Sequence, residues 1–275
     1  MRRAVATLGV FAAAAVAFAF LLLPVVALFT HQPLRELVHQ LSNPVVTDAL
    51  VVSAKTSAIA QAAILLLGTP TAYLIARRRF PGRSFVVTLV ELPLVLPPAV
   101  AGVGLLVAFG RFGVLGSTFD ALGIDVAFNT TAVVLAVAFV ASPLYIRQAI
   151  ASFEAVDANL VGVSRTLGAG PVRTFFRVVL PLARGGLAAG AALSLARGLG
   201  EFGATIMFAG SFQRVTQTLP LAIYAEFDRN FDVAVTISAL LVIVSAAILL
   251  SLKLTLPWPG SRQSSPSLFA RLSSS

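Results

Sequence analysis

The chain has no cysteine and little charge. Without a thiol, neither a disulfide framework nor a thiolate metal site can form. The only histidines, His31 and His39, stand on a short polar connection and read as solvated loop residues, not as metal ligands. Charged residues make up 11% of the 275 positions and hydrophobic ones 58%, whereas soluble domains carry about 25% charged residues. No G-x4-G-K-[ST] loop occurs, so the chain cannot hold ATP in that manner. No Ser-His-Asp candidate and no metal-ligand cluster appear. If work is done here, its energy comes from a partner or from an ion gradient.

What the sequence has instead is long apolar runs. Six segments, about 4–29, 48–76, 85–109, 130–146, 185–209 and 233–256, approach or exceed the ~20 residues that cross a bilayer as a helix. The fourth is the shortest. The connections between them are polar or rich in Gly and Pro. The first run follows Met1-Arg2-Arg3, as a signal peptide would, but it is longer than the roughly 7–15 apolar residues of a cleaved signal. It is expected to stay as a span. The reading is an all-α membrane protein with six transmembrane helices. Residues 1–46 form a first helix and external loop, 47–256 the membrane domain, and 257–275 a Ser- and Pro-rich disordered cytoplasmic tail.

The net charge of +9 is a topology signal, not a nucleic-acid footprint. With the N-terminus inside, the inner segments hold Arg2, Arg3, Arg77, Arg78, Arg79, Arg83, Arg147, Arg165, Arg173, Arg177, Arg184, Lys253, Arg262 and Arg271. The outer segments hold only Arg35, Arg111, Arg214 and Arg229, while Lys55 and Arg197 fall within spans. That excess places both termini in the cytoplasm.

The one long inner connection, 149–184, has its own pattern. Val156, Leu160, Val163 and Leu167 make one helical stripe, with Arg165 beside it. Gly168-Ala169 then reads as a stop, and Gly170-Pro171 as a new start with proline in the first turn. Val172, Phe175, Phe176 and Val179 form a second stripe. Two short amphipathic helices broken at glycine cannot span a bilayer. They lie on it or dock into a partner.

Inside the fifth run stands Arg197-Gly198-Leu199-Gly200-Glu201-Phe202-Gly203-Ala204-Thr205. A charge at the centre of a membrane helix costs roughly 2.5–3.5 kcal/mol on insertion scales, so it marks a partner or a pathway. Arg197 and Glu201 are four apart, one helical turn, and are expected to neutralise each other as a structural ion pair. Pro97 and Pro98 in the third run remove two backbone donors, which fits either a cavity lining or a packing kink. Gly102, Gly104, Gly186 and Gly190 read as close-packing sites. Glu91 is also intramembrane, with no partner apparent in the sequence.

Three of these features carry a family resemblance. Gly168, nine residues, then Val178-Val179-Leu180-Pro181 resembles the G-x9-I-x-L-P end of the "EAA" signature. That signature belongs to the membrane subunits of binding-protein-dependent ATP-binding-cassette importers. The positions corresponding to E-A-A read Gly162-Val163-Ser164, so no role for that glutamate carries over. Leu92-Pro93-Leu94-Val95-Leu96-Pro97-Pro98-Ala99-Val100-Ala101-Gly102 resembles the third-helix motif of molybdate-type permeases. Gly200 to Thr205, with Thr216-Gln217-Thr218-Leu219-Pro220-Leu221-Ala222-Ile223-Tyr224, resembles their fifth helix and outer loop. Ser211 departs from the asparagine frequent in that group.

The resemblance implies a type I importer permease fold with a coupling helix that inserts into the ATPase subunit. Leu160, Arg165, Leu167, Gly168, Ala169, Phe175, Leu180 and Pro181 would serve coupling. Pro97, Pro98, Gly102, Gly200, Glu201, Phe202 and Thr205 would line the pathway or gate. The implied partners are an ABC ATPase dimer carrying ATP and Mg, an extracytoplasmic oxyanion-binding protein, a second copy of the chain and the lipid bilayer. The chain itself would bind no cofactor, metal or nucleic acid. Sulfate or tungstate transport is the alternative within the family, and a gradient-driven carrier or channel is the alternative outside it. Because the chain lacks cysteine, topology is directly testable with single cysteines and an impermeant reagent in intact cells. Positions within 210–231 are expected to label, and positions 78 and 173 to stay protected. Strong labelling at either of the latter reverses the assignment.

Overall fold

The computed structural model describes residues 2–78 and 80–255. The expected tail, 257–275, lies outside the described residues, as do Arg79 and Leu256. The helices in order are α1 (Arg2–His31), α2 (Leu34–Gln40), α3 (Pro44–Arg77), α4 (Arg83–Val95), α5 (Pro98–Phe109), α6 (Gly116–Ala121) and α7 (Thr130–Glu154). They continue with α8 (Ala158–Thr166), α9 (Pro171–Thr174), a π turn (Phe175–Val179), α10 (Leu180–Leu199), α11 (Gly203–Ala209), α12 (Leu219–Glu226) and α13 (Phe231–Thr255). Among the described residues there is no strand.

α7 is the hub, buried along its length between α3 and α10. In a bilayer, helices gain little from burying apolar surface against one another and depend on close packing of small residues. α7 offers Ala132, Ala136, Ala141 and Ala149, all fully buried. Its neighbours answer with glycine: a Cβ at Gly68 on α3 would lie 3.0 Å from the Tyr145 ring, and one at Gly198 on α10 would lie 2.8 Å from Val137. Tyr145, otherwise costly at this depth, shares a 2.6 Å hydrogen bond with Thr69. Side-chain caps start the helices: Asn43 accepts from the Val45 amide, Asn129 from Thr131 and Asp157 from Asn159.

One end of the bundle joins the C-terminal ends of α3 and α7, where Arg77 donates to the Val156 carbonyl at 3.3 Å and Arg83 pairs with Glu154. The other end holds loop 210–218, tied to the start of α7 by Thr130 donating to the Val215 carbonyl and to α3 by Arg214 and Asp48.

Pro44–Arg77, Thr130–Glu154, Pro171–Leu199, Phe231–Ser251 and Gly9–His31 are each long and apolar enough to cross a membrane. The pair Arg83–Val95 and Pro98–Phe109, bent by 112°, makes a sixth if counted as one. The third segment is thus sharply broken at Leu96-Pro97 and not merely kinked. The fourth runs eight residues past its expected end at 146, to Glu154.

The fifth segment, expected at 185–209, is corrected at both ends. It begins at Pro171, because the π turn carries the helix past Pro181: the Leu180 amide reaches five residues back to the Phe175 carbonyl. This widened turn absorbs the disruption a proline brings to helical hydrogen bonding. The second amphipathic helix of the inner connection is therefore the first part of a span. The run ends at Leu199, and α11 is a separate short helix after a three-residue break.

Smaller corrections follow. The connection holding His31 and His39 is not a loop: His31 ends α1 against the Phe231 ring, and His39 lies on α2. Gly104 faces open space, unlike Gly102, Gly186 and Gly190. Glu91 does have a partner, Arg147, at 3.5 Å.

A Cβ at Gly102 would lie 2.6 Å from the Ala204 carbonyl oxygen and 2.7 Å from the Met207 Cβ. Gly102→Val is expected to separate α5 from α11 and cost about 1–3 kcal/mol or more. Thermal unfolding of the purified protein, with Gly104→Val as the tolerated control, measures this.

Candidate functional site: two interrupted spans and an exposed docking helix

Two interrupted helices meet inside the bundle. Pro97 and Pro98 occupy the bend between α4 and α5, both exposed. They sit where the first amides of a helix have no intrahelical acceptor, so α5 starts there with few orphaned donors. α11 begins beside it: a Cβ at Gly203 would stand 2.6 Å from the Pro98 Cβ. The Gly203–Pro98 and Met207–Gly102 contacts each advance by four residues, so α5 and α11 run parallel.

The break before α11 is organised by one carboxylate. Glu201 Oε2 lies 2.7 Å from Arg197 Nη1, and Oε1 accepts from the Ala204 amide at 2.8 Å. The carboxylate is 1% exposed and the Arg197 side chain 34%. Glu201 thus neutralises a cation at the end of α10 and caps the first turn of α11. The spacing of four anticipated the pairing; nothing in it signalled the cap. Gly200 is exposed at the break, and the Phe202 ring packs on Tyr224 with centroids 5.4 Å apart. Thr205 is fully buried, and its hydroxyl has no hydrogen-bond partner among the described residues.

At the opposite end α8 lies against the first turns of the Pro171–Leu199 span, where the Ser164 and Thr174 hydroxyls share a 3.1 Å hydrogen bond. Its stripe is exposed at Leu160 (47%), Val163 (56%) and Leu167 (81%), while Val156 is buried. Arg165 occupies its last turn. Gly168 follows with φ +79°, the left-handed conformation expected of a helix stop. Ala169 is half-buried. Leu160, Val163, Leu167 and Ala169, with Arg173 and Arg177, line a groove of about 390 Å³. Phe175 does not face this groove's opening; its ring packs edge-on against Tyr73 at 4.8 Å and near Phe153, inside the chain's own core. Leu180 is half-buried and Pro181 exposed in the first turn of α10.

Sequence reasoning missed a polar row on α3. Ser53 accepts from the Leu219 amide at 2.7 Å, and Gln61 bridges to α10, donating to the Ala191 carbonyl and accepting from Ser194. The signal was present: Ser53, Ser57 and Gln61 recur every four residues, one face of a helix.

Two broken half-spans packed on each other, with an exposed apolar helix at the far end of five or six apolar spans, describe a multi-pass membrane protein. The model of the family "binding-protein-dependent transport system inner membrane component" matches residues 64–256, and the chain belongs to that family. It is 42% identical over 231 residues to the molybdenum transport system permease protein ModB of Mycobacterium tuberculosis, covering 84% of this chain and 88% of the relative. It is 43% identical over 178 residues to the Escherichia coli K12 protein of the same name, covering 64% and 78%. Among solved structures, a chain of the MetNI methionine ABC transporter superposes with a TM-score of 0.61 at 18% identity, covering 77% of this chain and 94% of that one. A chain of a bacterial alginate ABC importer gives 0.67 at 17%, covering 92% and 96%. The fold is that of a type I ABC importer permease.

Removing either partner of a buried ion pair costs roughly 3–5 kcal/mol, whereas replacing both with apolar residues can be nearly neutral. Arg197→Ala and Glu201→Ala are expected to lower the amount of folded protein, Glu201→Ala more, since it also uncaps α11 and its carboxylate is the deeper group. Arg197→Met with Glu201→Leu is expected to recover much of the loss. Membrane abundance by immunoblot measures all three; no loss in either single variant overturns the ion-pair account.

Proposed function

We propose that this chain is the membrane-spanning permease subunit of an importer that carries molybdate across the cytoplasmic membrane. ATP hydrolysis on a partner subunit drives it. The observation that carries the coupling part is the apolar stripe Leu160–Val163–Leu167, exposed outside the spans and fixed at a glycine turn. A gradient-driven carrier has no reason to keep such a surface, and an ATPase-coupled permease needs one. The identity to molybdenum transport permeases over most of the chain supports the substrate.

In this reading both termini are cytoplasmic, and the α8 end of the bundle faces the cytoplasm. α8, with Arg165, Leu167, Gly168 and Ala169, docks into an ABC ATPase dimer that binds ATP and Mg. The permease works as a homodimer. In support, no residue in the apolar window of α1 is buried within its own chain, an arrangement that leaves most of the helix for a neighbour or lipid. An extracytoplasmic oxyanion-binding protein delivers substrate to the end bearing loop 210–218. ATP-driven closure of the ATPase dimer pushes on α8. The push passes through the Arg77–Val156 and Arg83–Glu154 contacts to α3 and α4, and through the continuous helix Pro171–Leu199 to the break at Glu201. Pro97, Pro98, Gly102, Gly200, Glu201, Phe202 and Thr205 form the pathway wall or gate. The chain does no chemistry of its own.

Labelled molybdate uptake by proteoliposomes holding the complete transporter, with sulfate and tungstate as competitors, tests the assignment. ATP-dependent uptake resisted by tungstate and barely by sulfate is expected. Uptake independent of ATP supports a carrier instead, and efficient competition by sulfate moves the substrate. In the same assay Gly168→Val, which forces a β-branched residue into a left-handed position, is expected to uncouple hydrolysis from uptake while membrane insertion stays normal.

A further inference from the structure

Of the chain's 20 basic residues only Lys55 and Lys253 are lysines. Lys55 lies inside α3 (Pro44–Arg77), about 16 Å along its axis from the first residue. It is exposed, on the side of α3 turned away from the buried row Val52, Thr56 and Ala60, and flanked by exposed Val51 and Ile59. Among the described residues its ammonium has no ion-pair or hydrogen-bond partner. Glu91 is matched by Arg147, Glu201 by Arg197, Glu154 by Arg83 and Asp48 by Arg214. An ionised residue in a span faces a partner or a water-filled cavity.

The same face of α3 carries charge higher up. Asp48 precedes Lys55 by seven residues, two helical turns or about 10 Å. Its Oδ2 accepts from Gln213 Nε2 at 2.8 Å and from Arg214 Nε at 3.0 Å. Arg214 is held at φ +66°, and its two Nη groups make no hydrogen bond among the described residues. Asp48 is thus occupied above, leaving Lys55 and the outer edge of Arg214 as two steps of positive charge on one helix face.

We propose that this face of α3 is the wall of an anion vestibule, in which Lys55 supplies the counter-charge for the translocated tetrahedral oxyanion and Arg214 stands at its mouth. The inference rests on the transport reading above. A lysine ammonium is a compact charge with three donors on a flexible stem. It attracts a dianion strongly where little water screens it, yet it makes no rigid bidentate clamp. A site on a pathway needs both properties, attraction to enter and weakness to leave. A phospholipid phosphate shares the chemistry of a tetrahedral oxyanion, so the test separates the two.

The permease–ATPase complex in phosphatidylcholine nanodiscs is treated with a water-soluble amine reagent, and mass spectrometry reads Lys55 separately from Lys253. Molybdate at millimolar concentration is expected to slow modification of Lys55 several-fold, while chloride at equal ionic strength does not. In proteoliposomes with the complete transporter, Lys55→Met is expected to lower molybdate uptake by about tenfold at normal abundance, and Lys55→Arg to retain most of it. Modification indifferent to molybdate overturns the proposal. So does protection that follows replacement of phosphatidylcholine by phosphatidylglycerol instead, which assigns Lys55 to lipid phosphate. Normal uptake by Lys55→Met also overturns it. If wild type takes up no molybdate, the transport reading fails, and the labelling result still decides whether Lys55 meets the anion. Normal wild-type uptake with an indifferent Lys55→Met sinks this inference alone.

Discussion

A peptide group that loses its hydrogen-bond partner inside a bilayer has no water to turn to, and that constraint governs where this chain can leave the helix. Each departure within the apolar zone is compensated locally. At the third segment, prolines fill positions whose amides would be orphaned. At the fifth, the Glu201 carboxylate satisfies the Ala204 amide and is itself neutralised by Arg197. At Pro181, a π turn changes the bonding pattern and keeps the helix continuous. The irregular backbone is thus confined to sites where a side chain or an altered turn takes over the lost bond.

This explains how much of the molecule could be read from the sequence. Span existence followed from apolar length, because the bilayer enforces it. The pairing of Arg197 with Glu201 followed from helical spacing, and the stop at Gly168 from glycine chemistry. Three things were hidden. The π turn was invisible because Pro181 ordinarily ends a helix, and no residue type specifies a five-residue reach. The separation of α11 depends on Glu201 reaching forward to a backbone amide as well as back to Arg197, and spacing indicates only the latter. The Glu91–Arg147 contact joins two helices far apart in sequence, and no local pattern announces such a pair.

The glycine contacts around α7 and those between α5 and α11 differ in their surroundings. Gly68, Gly190 and Gly198 meet side chains of the central helix, which fixes α3, α7 and α10 as one packed unit. Gly102 and Gly203 join two short helices, each starting at a break. Both short helices also pack on the central one: Ala101, Leu105, Ala204 and Phe208 share a buried cluster with Ala132, Val133, Ala136 and Val140 of α7. The fold therefore ties two short helices, each begun at a break, to the same central helix that holds the long ones.

The π turn has a consequence for how this chain tolerates insertion and deletion. Each residue of an α-helix rotates the chain by about 100° and advances it by about 1.5 Å. A turn that holds one residue more than its neighbours acts as a local phase shift, setting the angle at which Pro171 to Thr174, and α8 before them, emerge relative to α10. Losing a single residue between 175 and 179 would restore a regular helix and swing α8 roughly a quarter-turn around the axis. The length of this stretch is thus as much a determinant of the orientation of α8 as any side chain on it.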